Sequence, residues 1–445
     1  MRSKLNEVLL PLADYKNRLK QVSWTRPHGR VEQVVGLVIE STGPSVSIGE
    51  SCYITRSGTE DPIPAEVVGF RQNRVLLMPL GEMRGLGPGS EVIPSDGSFK
   101  IPVGDHLLGR VIDALGNPLD GLGPLQRLNE FYPIHRMPPP AMNRRRILTP
   151  VATGIRVVDS LLTLGEGQRL GIFAGSGVGK STLIGMVAKN SEADINVIAL
   201  VGERGREVRD FLERDLGPEG LKRSIVVVAT SDQPSLIRIQ AALVAMAVAE
   251  YFRDQGRRVM LMMDSITRFA MAQREVGLAI GEPPTTKGYT PSVFALLPKL
   301  LERAGTTSHT GSITGLFTIL VEADDMNEPI ADACRAILDG HIVLSRTLAS
   351  QGQYPAVDVL NSVSRVMTDI VSEDHQQAAT AIRSILATYE SVKDLISIGA
   401  YVRGSNPRVD QALARLDSVL LFLKQTPSEV SSWKETQDRL KAFLK

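Results

Sequence analysis

Phe173-Ala174-Gly175-Ser176-Gly177-Val178-Gly179-Lys180-Ser181-Thr182 stands between an apolar run, Arg169–Phe173, and a helix-length segment, Ser181–Asn190. Glycines at this spacing let successive backbone N–H groups converge on one anion, and a following helix N-terminus adds partial positive charge. Gly175, Ser176, Gly177, Val178, Gly179, Lys180, Ser181 and Thr182 are therefore candidates for cradling the phosphates of ATP. In such a loop the lysine, here Lys180, reaches the β and γ phosphates, and the hydroxyl after it, here Ser181, is offered to Mg²⁺. Ala174 occupies the first position, where the strict pattern has glycine; a small residue still permits the turn. The competing reading, a glycine-rich turn without ligand, fits the strand–loop–helix context less well.

Outward from the loop, Val197–Val201, Ile225–Ala229, Val259–Met263 and Gly315–Val321 are further apolar runs separated by helix-length segments. That alternation predicts a parallel sheet with crossover helices. Beyond about Asp369 the strands stop, and Ala378, Ile382, Ile385, Leu386, Tyr389, Val392, Leu395 and Ile396 recur with a helical period. Upstream, Val31–Ile39, Ser51–Thr55, Ala65–Phe70 and Val75–Met78 read as short strands divided by Gly, Pro, Asn and Ser clusters, which suggests a small barrel. The stiff Pro138–Pro140 connection lies between the two textures. The expected fold class is α/β: a parallel-sheet phosphate-loop core with an N-terminal small β-barrel and a C-terminal helical domain. The expected divisions are 1–25, 26–97, 98–368 and 369–445.

In the first division, Leu5, Val8, Leu9, Leu12, Tyr15 and Leu19 fall on one helical face ringed by Lys4, Lys16, Arg18 and Lys20. Such a helix either packs on its own domain or meets a partner or membrane surface. Lys and Arg number 50 against 49 Asp and Glu, a net charge of +1 that gives no support for a nucleic-acid binder. Residues 29–95 contain only Tyr53 and Phe70 as aromatics, too few for a base-stacking platform. The two cysteines, Cys52 and Cys334, have no metal-ligand spacing and read as structural thiols. No run approaches the roughly 20 apolar residues that span a bilayer. Ala241–Ala249 ends at Glu250 and reads as a buried helix, and Glu7 and Asp14 argue against a secretory signal, so a cytoplasmic chain is expected.

Hydrolysis needs more than a phosphate cradle: a second metal-side group, a group to orient water and positive charge for the transition state. Asp264 ends the apolar run Val259–Met263 and is the candidate on the Mg²⁺ side. Glu203 follows Val201-Gly202, and carboxyl ends of strands in such a sheet meet at one edge. It either polarises the attacking water or belongs to a surface charge ladder within Glu203–Asp210; spacing leaves both open. Arg365 is either a solvated charge or one presented to another subunit's nucleotide, and spacing does not choose.

The strings Gly171–Ile184 (GIFAGSGVGKSTLI), Val201–Val208 (VGERGREV), Asp264–Glu275 (DSITRFAMAQRE), Gly281–Gly305 (GEPPTTKGYTPSVFALLPKLLERAG), Glu322–Ala333 (EADDMNEPIADA), Asp339–Arg346 (DGHIVLSR) and Tyr354–Arg365 (YPAVDVLNSVSR) resemble the ATPases of bacterial type III protein export. Those are relatives of the catalytic subunits of rotary ATP synthases, and Gly109–Gly121 (GRVIDALGNPLDG) also fits that superfamily. The resemblance covers roughly residues 30–440, with 268–289 closer to the flagellar than to the injectisome branch. It implies a RecA-like core, Glu203 as the catalytic carboxylate, Arg204 as a γ-phosphate contact, Arg365 as an arginine finger and Tyr354 against the adenine ring. It further implies a homohexamer that hydrolyses ATP to energise flagellar protein export. Its implied partners are a cytoplasmic regulator on the N-terminal helix, a central stalk protein, chaperone–substrate complexes and export-gate membrane proteins. Its implied place is peripheral to the inner membrane at the flagellar base. The alternatives are an injectisome ATPase, a rotary synthase catalytic subunit and, from another class, an RNA-translocating ring ATPase.

Overall fold

The computed structural model describes residues 27–55, 61–126, 130–321 and 325–444, so the expected N-terminal amphipathic helix lies outside the described residues. The chain divides into two compact units, one ending at Ser98 and one running from Phe99.

In the first unit, β1 (Gly29–Val35), β2 (Val38–Ser41), β3 (Glu50–Ile54), β4 (Ile63–Arg71), β5 (Arg74–Pro79) and β6 (Glu91–Ser98) close into a barrel in the order β1-β2-β5-β4-β3-β6. Where the sequence suggested one strand, Val31–Ile39, there are two: Gly36, at φ +60°, turns the chain. Only glycine adopts that conformation without a Cβ penalty. Alternation fills the interior. Cys52 and Ile54 of β3 point inward while Tyr53 between them is 44% exposed. Val31, Ile39, Ala65, Val67, Val75, Leu77 and Val92 complete this core.

The second unit opens with β7 (Lys100–Val103), β8 (Val111–Asp113), β9 (Glu130–Pro133), β10 (Pro150–Val151) and β11 (Leu164–Gly165). It continues with β12 (Arg169–Ala174), β13 (Ile195–Glu203), β14 (Ser224–Thr230), β15 (Arg258–Asp264), β16 (Gly305–Thr306), β17 (Ser312–Leu320), β18 (Gly340–Leu344) and β19 (Val363–Ser364). The main sheet runs β19-β18-β12-β17-β15-β13-β14-β8, with β16 paired to β17. All neighbours along it are parallel except β19 and β16, which lie antiparallel to theirs. Helices on both faces leave β13 and β15 buried almost end to end, which is why they read as continuous apolar runs. The short β8, which pairs with β14, escaped the sequence reading because three residues carry no periodic signal.

The helix Ser235–Asp254 is the one among the described residues long and apolar enough to cross a membrane. It is buried instead, and Glu250 near its end is paired with Arg303 at 2.9 Å. The tail is helical as expected: Glu373–Ser397, Pro407–Leu423 and Trp433–Lys441 start from side-chain caps at Ser372, Asn406 and Ser432. Ala378, Ile382, Val419, Phe422 and Leu440 join Val158, Leu161 and Leu162 in one apolar cluster. The tail therefore shares a core with the sheet. Cys52 and Cys334 are buried free thiols, and burial pushes the Cys52 thiol up to about 11.

Candidate nucleotide site

The phosphate loop springs from the carboxyl end of β12, which lies between β18 and β17 in the sheet, and ends at Lys180, the first residue of the helix Lys180–Asn190. Gly177 and Gly179 take φ values of +78° and +94°, which turn the loop amides toward the space in front of that helix. Parallel register sets Leu200 of β13 beside Asp264 of β15, so the last residues of both strands emerge next to the loop. A register shift between Val201 and Glu203 in the pairing with β14 aims the Glu203 side chain there. Gly202, at the shift, packs against Arg268: a Cβ there would stand 2.9 Å from the Arg268 Cβ.

These strand ends bring Lys180, Glu203 and Asp264 together. The Lys180 ammonium lies 2.5 Å from Asp264 Oδ1 and 3.5 Å from Glu203 Oε1. The Thr318 hydroxyl on β17 donates to the same Asp264 oxygen at 2.8 Å. Burial works against the Lys180 charge, but the two carboxylates outweigh it and hold its proton more tightly than usual. Burial raises Glu203 to about 7; Lys180 pulls it down, and Asp264 and Glu207 push it back up. Glu203 is thus a carboxylate poised near neutrality, as a general base requires. Glu203 also meets Glu207, the first carboxylate of the surface ladder in which Arg204 pairs with Glu207, Arg206 with Asp210 and Arg209 with Glu213.

A cavity of about 840 Å³ opens in front of the loop. Ala174–Gly177 and Gly179–Thr182 form one wall, with Glu203 beside them, and five cations, Arg204, Arg268, Arg274, Lys287 and Arg346, face it. Such a field suits a polyphosphate. Arg204 is exposed at its rim. Sequence reasoning passed over Arg268, although it stands one helical turn past Asp264. Its Nε is buried without a hydrogen-bond partner among the described residues, a donor that a phosphate oxygen would satisfy.

A second cavity of about 600 Å³ shares Gly179 and Thr182 with the first and is walled by Val178, Leu183, Met186, Leu344 and Pro355. It has the apolar character of a base pocket. The half-exposed Tyr354 stands over it, its ring 3.7 Å from where a Gly179 Cβ would be. The opposite wall comes from the helical tail, Leu421 and Lys424–Pro427, about 250 residues from the loop. Nothing in local sequence signals that contribution. Arg365 is exposed, away from both cavities, and donates from Nη2 to the Arg335 carbonyl at 3.2 Å.

With that geometry in hand, comparison with known proteins separates a nucleotide site in general from this one in particular. Residues 154–364 match the ATP synthase alpha/beta family nucleotide-binding domain, and residues 31–96 match its beta-barrel domain. The chain belongs to the ATP synthase alpha/beta family. Residues 371–442 match the T3SS EscN ATPase C-terminal domain, which places the chain among the export ATPases of that family. It is 58% identical to a flagellum-specific ATP synthase of Bacillus subtilis over 92% of this chain and 93% of that one. It is 52% identical to a type 3 secretion system ATPase of Xanthomonas euvesicatoria, covering 93% of each chain. Among solved structures, the assembled ATPase EscN of the enteropathogenic E. coli type III secretion system superposes with a TM-score of 0.87 at 43% identity. That match covers 94% of this chain and all of that one. EscN has also been solved with its central stalk EscO, with a TM-score of 0.86 over the same shares.

Proposed function

We propose that this chain hydrolyses ATP within a homohexameric ring that energises export of flagellar proteins, including chaperone release and delivery of substrates to the export gate. The observation that carries the chemistry is the meeting of Lys180 and Glu203 at the phosphate loop, 3.5 Å apart, with Glu203 raised to about 7. The similarity to flagellum-specific ATP synthases, 58% and 46% for those of Bacillus subtilis and Salmonella typhimurium, supports the biological setting.

In this reading Gly175–Thr182 hold the phosphates and Tyr354 stacks on the adenine. Lys180 neutralises the γ phosphate and Glu203 takes the proton of the attacking water. Arg204 touches the γ phosphate from the rim, and Arg365 completes the site of a neighbouring subunit. Its exposure and its distance from its own chain's cavities suit that role. Mg²⁺ fits the oxygen donors present, the Ser181 hydroxyl at the cavity wall and the Asp264 carboxylate behind it. Held by these residues, the ion would supply positive charge to offset that of the phosphates. The division is a β-barrel domain at 26–97, a RecA-like nucleotide-binding ATPase domain at 98–368 and a helical domain at 369–445. Residues 1–25 bind a cytoplasmic regulator and favour the inner membrane at the flagellar base, and a central stalk protein sits in the ring.

Substituting Lys180→Ala or Glu203→Gln tests the chemistry: full ATPase activity in either would overturn the site. Deleting the gene and scoring flagella and secreted flagellar proteins tests the setting. The 52% identity to an injectisome ATPase favours a second reading, which normal flagella and lost injectisome secretion in the same strain would establish.

A further inference from the structure

Gln425 is 3% exposed, lies in the tail segment that walls the base pocket, and has its backbone N–H and both ends of its carboxamide bound. Its backbone N–H donates to the Tyr354 carbonyl at 2.9 Å. Its side-chain oxygen accepts from the Arg156 backbone N–H at 2.7 Å. Its Nε2 donates to the carbonyls of Gly154 at 2.8 Å and Glu429 at 2.9 Å. One residue thus joins three parts of the chain: its backbone N–H holds the base loop, and its side chain holds the helical tail and the turn Thr153–Arg156 that precedes the phosphate loop.

The turn is built to receive it. Asp159, fully buried, accepts from the Thr153 N–H and hydroxyl and from the Gly154 N–H, at 2.8, 2.7 and 3.0 Å. Gly154 has φ +75°, and a Cβ on it would stand 2.4 Å from the Asn190 Cβ at the end of the phosphate-loop helix. The Gly154 carbonyl and the Arg156 N–H therefore face Gln425 as a fixed acceptor and donor. Only a carboxamide answers both, because a carboxylate cannot donate and a methyl does neither. Arg156 adds a clamp on the same segment through the Lys424 carbonyl at 3.1 Å and the Glu429 carboxylate.

We propose that Gln425 is a positioning residue for the base subsite: its carboxamide docks the tail on the Gly154–Arg156 turn and so places the backbone N–H that holds the Tyr354 carbonyl, setting the pocket width that a nucleotide base requires. This rests on the reading of the apolar cavity as the base pocket. None of the groups Gln425 binds lines the phosphate cavity. Loss of the carboxamide thus weakens the base half of the nucleotide and spares the polyphosphate half.

The test uses the full-length chain with two variants, Gln425→Ala and the isosteric Gln425→Glu, and two probes, ADP and inorganic tripolyphosphate, titrated calorimetrically. Removing three side-chain hydrogen bonds in Gln425→Ala, or the two donated by Nε2 in Gln425→Glu, predicts about tenfold weaker ADP binding in either variant, with tripolyphosphate affinity within about twofold of the parent. In steady state, KM for ATP rises and kcat holds. Unchanged ADP affinity in both variants, or equal loss for both probes, would overturn the assignment. Tyr354→Ala separates the two layers: if it too leaves ADP affinity unchanged, the base-pocket reading fails, and if it alone weakens ADP, only the Gln425 latch fails.

Discussion

Lys180 and Asp264 come from different crossover units, yet the Lys180 ammonium stands 2.5 Å from an Asp264 carboxylate oxygen. Parallel register does this: the phosphate loop leaves β12 where β17 ends, and β17 also lies beside β15, which ends at Asp264. The site is a property of a sheet edge. Its chemistry depends on charges that no short segment contains.

The first prediction concerns proton uptake. A water-activating Glu203 must be ionised, and it is raised to about 7. Activity should therefore be low below that value and climb as pH rises through it. The acid limb of kcat/KM, which reports the free enzyme, should inflect near 7. Glu203→Gln should lose the limb with the activity, by about a hundredfold or more. A limb that persists unshifted in a residual Glu203→Gln rate would assign it elsewhere.

Arg365 offers a test of completion in trans. Arg365→Ala should keep nucleotide affinity and lose about a thousandfold in kcat, the scale of an arginine finger. Mixed with inactive Lys180→Ala subunits, it should regain activity at roughly a quarter of ring sites, those pairing an intact loop with an intact finger. A mixture as inactive as its parts would place Arg365 outside the chemistry.

Metal dependence follows from the oxygen donors. Chelation should abolish hydrolysis, and Ser181→Ala should raise the Mg²⁺ concentration needed for half-maximal rate by about tenfold. Equal Mg²⁺ requirements in parent and variant would remove Ser181 from the metal's surroundings.

Glu250 and Arg303 form a pair with side chains 1% and 2% exposed. Arg303→Met should cost about 3–5 kcal/mol, because it leaves a buried carboxylate short of its partner. Glu250→Leu added to it should recover part of that loss. Urea midpoints of single and double variants decide it, and strictly additive losses would mean the pair is not coupled.

Asp159 is fully buried, and burial lifts it to about 7 despite three hydrogen bonds from Thr153 and Gly154. A raised carboxyl is bound to more protons in the fold than in the unfolded chain. Its ionisation thus draws on stability as pH climbs from the ordinary carboxylate range toward 7. Asp159→Ala strands three buried donors and should lower stability by about 2–4 kcal/mol, read as a lower urea midpoint. It should also flatten that decline.

The sequence alone determined the loop Ala174–Ser181, because glycine spacing and the lysine position are local requirements of binding an anion with backbone amides. It determined the parallel sheet, whose strands are buried on both faces and so are continuously apolar, and the helical tail, whose period is local. Tertiary structure decided the rest. It brought Lys180 to Glu203, by register between strands. It exposed Arg268, whose Nε, buried and without a partner among the described residues, no motif announces. It brought Gln425 to Tyr354, 71 positions away, where the base pocket closes. Contacts of that kind follow from the order of strands in the sheet and the docking of the tail, and neither is written in any local pattern of residues.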